Sequence, residues 1–153
     1  MEWTFDPLEI KNAYLNIARL GVIVHSYTPN FYGVFSSRLQ AGLPTDRLHA
    51  EWFMDSPRVH ATLNGGRVLL PEIKETIVVP GAIQEWKQSR SEFALAESTQ
   101  TEVKTRFLDA FARGLTVVGF RKGTEQNQLN QPVANADEDG VYLLAEGQQI
   151  ELQ

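Results

Sequence analysis

Two carboxamides four residues apart, Asn12 and Asn16, are the first side chains whose type and spacing suggest chemistry. On an α-helix they share an arc with Arg19, and stacked carboxamides suit hydrogen bonding to an extended, amide-rich ligand. The same pattern also describes a solvated polar face, or side chains bonded to a neighbouring loop. A second constellation is Tyr27 with Asn30-Phe31-Tyr32-Gly33, followed by Leu43-Pro44-Thr45-Asp46-Arg47 and Glu51-Trp52. Tyrosines, an Asp-Arg pair and a Trp around turns suit a pocket with aromatic walls and few polar anchors. They equally suit a structural Asp46–Arg47 ion pair among packed rings, and composition does not separate the two.

Several chemistries have no matching pattern. His25, His49 and His60 lack metal-ligand spacing, so no metal site is expected. There is no G-x-S-x-G, no G-x-G-x-x-G and no P-loop. The chain has 0 cysteines, which excludes a disulfide scaffold, cysteine-ligated zinc, iron–sulfur clusters and thiol catalysis.

The elements that must position these residues follow from capping and turn signals. Trp3-Thr4-Phe5 reads as a short strand. Asp6-Pro7-Leu8-Glu9 spells a helix start, with Asp6 as cap, Pro7 in the first turn and Glu9 completing a capping box. Ile10, Ala13, Tyr14, Ile17, Ala18 and Leu20 form its buried arc, and Gly21 ends it. Strands are expected at 22–27, 47–54, 67–71 and 75–79. A short helix is expected at 36–41, and Asn64-Gly65-Gly66 reads as a hairpin turn. A helical region opens at Ala82 and runs, with a break, to Arg113. Thr99 and Glu102 match a second capping box there, and Val103, Phe107 and Phe111 form a buried stripe. Its acids alternate with Lys87, Arg90, Lys104 and Arg106, as on a solvated face. Strands at 115–120 and 141–145 flank a polar, acidic loop over 123–140. The class is α+β, with a mixed, mostly antiparallel sheet. A segment over 1–80 and a helical region with strands over 81–153 belong to one domain.

The 153 residues, 42% hydrophobic and 22% charged, are ordinary for a globular domain. The net charge of −5 argues against nucleic acid or an anionic membrane as partner. Its distribution matters more: residues 1–122 sum to +1, while residues 123–153 hold six acids and no base. No apolar run reaches the roughly 20 residues a bilayer requires, and cytoplasm is the expected location.

Read in order, Glu2-Trp3-Thr4-Phe5-Asp6-Pro7-Leu8, Asn12-Ala13-Tyr14-Leu15-Asn16 and Leu20-Gly21 resemble the strand–helix segment of a GNAT-superfamily N-acyltransferase. Tyr27, Tyr32-Gly33, Leu43-Pro44-Thr45-Asp46-Arg47 and Trp52 continue the likeness to one bacterial GNAT-like family. Ile77-Val78-Val79-Pro80, Arg106-Phe107, Ala112-Arg113-Gly114 and Val117-Val118-Gly119-Phe120 extend it more weakly. The resemblance implies a GNAT-like fold and transfer of an acetyl or succinyl group from acyl-CoA to a small amine such as an amino acid. It implies Asn12 and Asn16 as the hold on the pantetheine arm. Tyr27, Asp46, Arg47 and Trp52 would shape the acceptor pocket, with Arg47 pairing a substrate carboxylate and Tyr32 as catalytic proton donor.

Two departures from the family pattern stand out. The glycine-rich loop that holds the CoA pyrophosphate is expected before the W-T-F-D-P-L element, so the chain resembles a C-terminal half. Ile17 occupies the position where many GNAT enzymes carry a Tyr, leaving Tyr27, Tyr32 or a residue outside the chain as donor to the leaving thiolate. The expected partners are therefore acyl-CoA and an amine, with a homodimer or a separate N-terminal half completing the assembly. One alternative is a non-catalytic half-fold that assembles or dimerises through an open sheet edge, and another is a binding module for an acyl or peptide ligand that has lost catalysis, as Ile17 permits.

Overall fold

Glu2–Phe5 forms strand β1, as the β-favouring Trp-Thr-Phe run requires. Asp6 then stops it. Its Oδ1 accepts the Leu8 N–H at 2.8 Å and its carbonyl accepts the Glu9 N–H at 3.1 Å. This local turn uses up Asp6, so the helix α1 (Ile10–Ala13) starts later than the expected cap, and the Asp6/Glu9 capping box does not form. Glu9 instead lies 3.7 Å from Lys87. The following residues, Tyr14–Arg19, wind as a π-helix, in which the Leu20 N–H reaches back to the Leu15 carbonyl at 3.0 Å. Gly21, at φ +80°, ends the helix as anticipated.

The computed structural model describes residues 1–31, 43–66, 69–123 and 138–147. Tyr32, the expected 36–41 helix, Arg67, Val68 and most of the 123–140 loop lie outside the described residues. β2 (Ile23–Thr28) occupies its expected place, and β3 (Arg47–Glu51) starts where expected but ends before Trp52, short of the expected Met54.

The segment between β3 and β4 differs from the sequence reading. Ser56 caps a helix, α2 (Pro57–Leu63), by accepting the Val59 N–H at 3.3 Å, and Pro57 fits its first turn. Asn64-Gly65-Gly66 closes that helix and is not a hairpin turn. Gly65 takes φ +74°, and the N–H groups of Gly66 and Gly65 return to the Ala61 and Thr62 carbonyls at 2.8 and 3.3 Å, a Schellman pair. The expected strand at 67–71 does not form over Leu69–Pro71.

β4 (Glu75–Val79) precedes α3 (Ile83–Gln88) and the long α4 (Phe93–Ala112). Thr99 and Glu102 lie inside α4, and the Thr99 hydroxyl donates back to the Leu95 carbonyl at 2.7 Å, so this pair caps nothing. β5 (Leu115–Lys122) and β6 (Gly140–Glu146) complete the chain's regular structure among the described residues.

The six strands make one sheet in the order β1-β3-β2-β5-β6-β4, every neighbouring pair antiparallel. The class is therefore α+β. Strands from both halves of the chain share the sheet, since β4 pairs with β6 and β2 with β5. α4 packs on β2, β4 and β5, while the π-helix packs on β5. Phe107 of α4 anchors the core: it stacks on Tyr27 at 5.6 Å between centroids and meets Tyr142 edge-on at 4.9 Å. Val103 and Phe107 are buried as the stripe predicts, and Phe111 packs on their margin.

Candidate functional site

The turn that leaves β2 builds the site. Pro29 cannot continue the ladder, and Asn30 takes φ +49°, a conformation asparagine tolerates better than most residues. That backbone aims the Asn30 N–H at Asp46 Oδ1, 2.9 Å away, while the Tyr27 hydroxyl donates to Asp46 Oδ2 at 2.5 Å. The Phe31 N–H adds a bond to the Thr45 carbonyl at 2.7 Å. Asp46 is only 3% exposed, so these donors replace the water its carboxylate has lost.

Beside this pair lies a cleft of about 280 Å³. One wall is Pro29, Asn30, Pro44 and Asp46; the other is Glu97, Gln100, Thr101 and Lys104 of α4. The spacing of the second set puts all four on one helix face. Gln100 joins the walls by donating to the Pro44 carbonyl at 2.8 Å. The cleft thus presents carboxylates and an ammonium within one small volume, a combination that can hold a ligand bearing an amine.

Electrostatics fix the protonation of the buried groups. Burial, then the bond to Asp46, pushes the Tyr27 phenol well above its ordinary value, so Tyr27 acts as a proton-holding donor. Burial likewise raises Asp6, although the Leu8 N–H, Lys87 and Arg47 pull it partly back. Among the described residues, no group of three or more His, Asp or Glu could hold a metal ion. No helix among them is long and apolar enough to cross a membrane.

The residues singled out from the sequence divide into separate places. Tyr27 and Asp46 meet directly. Arg47 is half-buried at the start of β3, in register with Thr28 and close enough for its charge to act on Asp6, and it does not line the cleft. Trp52 is further off: its indole donates to the Leu20 carbonyl at 2.7 Å and its ring meets Trp3 edge-on at 6.1 Å. Asn12 is exposed, whereas Asn16 is buried. The Asn16 carboxamide accepts the Trp3 indole N–H at 3.0 Å and donates to the Asn12 carbonyl at 2.9 Å. The two carboxamides do not share a solvent-facing arc, because the Asn16 side chain is turned inward onto the Trp3 indole while Asn12 stays exposed.

Glu97, Gln100 and Lys104 escaped the sequence reading. Their i, i+3 and i+7 spacing was a signal, but the charges around them alternate as on any solvated helix. No family model, curated protein or solved structure matches this chain.

Proposed function

We propose that this chain holds the amine acceptor of an acyl-CoA-dependent N-acyltransferase of the GNAT type. The observation that carries the reading is the buried Asp46 carboxylate, fixed by Tyr27 and Asn30 at a cleft that also offers Glu97 and Lys104. The residue pattern of 2–58 supplies the reaction class.

In this reading Asp46 and Glu97 attract the acceptor's ammonium group, and Lys104 takes the carboxylate role first given to Arg47. The amine loses a proton to a carboxylate and attacks the thioester carbonyl. The new C–N bond forms as the C–S bond breaks; the donor, the role given to Tyr32, protonates the leaving thiolate and recovers a proton from the amide nitrogen, leaving a neutral amide and a free thiol. Of the two carboxamides first assigned to the pantetheine arm, Asn12 keeps a solvent-facing side chain, while Asn16 is committed to Trp3 and Asn12.

The test is a panel of acetyl- and succinyl-CoA against small amines on the full-length protein, read by thiol release. Amine-dependent release that Asp46→Asn reduces supports the reading; release indistinguishable from background across the panel overturns it.

A second reading, assembly without catalysis, is favoured by β1, which pairs only with β3 among the described residues and so forms one edge of the sheet. A concentration-dependent dimer by light scattering, disrupted by Thr4→Pro, would support it.

A further inference from the structure

Three irregular features converge on one groove away from the Asp46 cleft. The first is the π-helix Tyr14–Arg19, a form that recurs at functional sites. The second is a bulge in β5 between Val117 and Gly119, which takes Val118 out of register with β6. The third is Arg58 of α2, whose side chain crosses between them. Its Nε donates to the Gly21 carbonyl at 3.1 Å, and its Nη2 donates to the Val118 carbonyl.

The groove measures about 350 Å³, at the small end for ligand sites. Arg58 and Arg19 both line it, and no acid does among the described residues. The apolar part of its wall includes Ala18, Phe120 and Leu143. Arg58 spends two of its five N–H donors on carbonyls, and no carboxylate pairs with either arginine among the described residues. The Gly21 carbonyl at the end of the π-helix and the Val118 carbonyl in β5 offset part of one positive charge. They leave the rest of it, and the second arginine, facing the same small volume. Burial draws the Arg58 guanidinium down to about 10, so it still carries its full charge near neutral pH.

We propose that this groove binds a small organic carboxylate with a short apolar tail. The anion sits at Arg58 and Arg19, and the tail lies along Phe120 and Leu143. A phosphate monoanion shares the charge but not the tail.

Hexanoate, hexanamide and inorganic phosphate serve as probes on the intact chain, with binding measured by calorimetry and amide chemical shifts. Hexanoate should bind about tenfold more tightly than hexanamide, the size of effect a charge-assisted hydrogen bond produces, and also more tightly than phosphate. Because Arg58→Gln removes a tie between α2 and β5 and can cost the fold, two milder variants carry the test. Arg19→Gln, at an exposed position, should weaken hexanoate several-fold without moving the melting temperature. Ala18→Phe should fill the groove and abolish binding. Equal affinity for hexanoate and hexanamide overturns the proposal, as does phosphate binding as tightly as hexanoate. So does hexanoate affinity that neither variant changes.

Discussion

The Tyr27 hydroxyl donates to Asp46 Oδ2 at 2.5 Å across the β2–β3 connection, and the ring of the same tyrosine stacks on Phe107 at 5.6 Å. One side chain thus joins the aromatic core to the cleft. Tyr27→Phe keeps the stack and removes the donor from a carboxylate that is 3% exposed. The expected loss is about 1–3 kcal/mol of stability by urea denaturation. Asp46→Asn should cost a similar amount, and the double variant should cost clearly less than the sum. Additive losses would mean that the two side chains do not depend on one another.

Asp6 gives a prediction with a definite sign. Burial raises its carboxyl above the ordinary 3.8, so the native state binds that proton more tightly than the unfolded chain does. The stability this contributes is complete below the unfolded value and is lost as pH rises through the higher native one. Asn at position 6 keeps an oxygen for the Leu8 N–H and does not titrate. The stability of Asp6→Asn relative to the native sequence should therefore climb as pH rises from below the ordinary carboxylate value, then level off. Urea denaturation of both proteins from roughly pH 3.5 to 7.5 checks it. A difference that stays flat with pH removes Asp6 from the titration.

Much of the scaffold was legible because its signals are local. The Trp-Thr-Phe strand, the stop at Gly21, the Val103/Phe107 stripe and the strands beginning at Glu75 and Leu115 each rest on a few adjacent residues. The failures share a cause as well. Ser56-Pro57 and Asn64-Gly65-Gly66 are turn residues in either a loop or a helix, and the burial of Val59 decides for a short helix. The π-helix has no sequence mark, and neither does the acceptor role of Asn16, because folding alone brings the Trp3 indole to it. Tyr27 with Asp46 was legible as a pair of suitable residues near turns. Arg58 was not, since its carbonyl partners come from Gly21 and Val118, brought together by tertiary folding alone.

Asn16 and Trp3 provide a third prediction. Asn16 accepts the Trp3 indole N–H at 3.0 Å and ties the π-helix to the edge strand β1. Asn16→Ala leaves that N–H without its acceptor in a part-buried setting, at an expected cost of about 1–3 kcal/mol. The indole N–H should then exchange with solvent faster, as followed by ¹⁵N-resolved NMR, while the Trp52 indole, bonded to Leu20, keeps its protection. Unchanged exchange at Trp3 would show that Asn16 is not its partner.

Gly21 and Gly114 end the π-helix and α4 with nearly the same backbone, φ +80° and +85°, and so separate two costs that usually occur together. A Cβ at Gly114 meets nothing within 4 Å. Gly114→Ala therefore carries only the left-handed strain, about 1–2 kcal/mol. A Cβ at Gly21 lies 3.2 Å from Thr62 Oγ1 and 3.4 Å from Val59 Cα, so α2 must also give way. Moving α2 disturbs Arg58, which bonds the Gly21 carbonyl itself. Gly21→Ala should consequently be the more damaging of the two, by roughly a further 1–2 kcal/mol, the usual range for overpacking. Thermal and urea unfolding of both variants measure the difference. Equal losses would mean that the contact between Gly21 and α2 is loose enough to absorb a methyl group, and that the helix end is set by its backbone conformation alone.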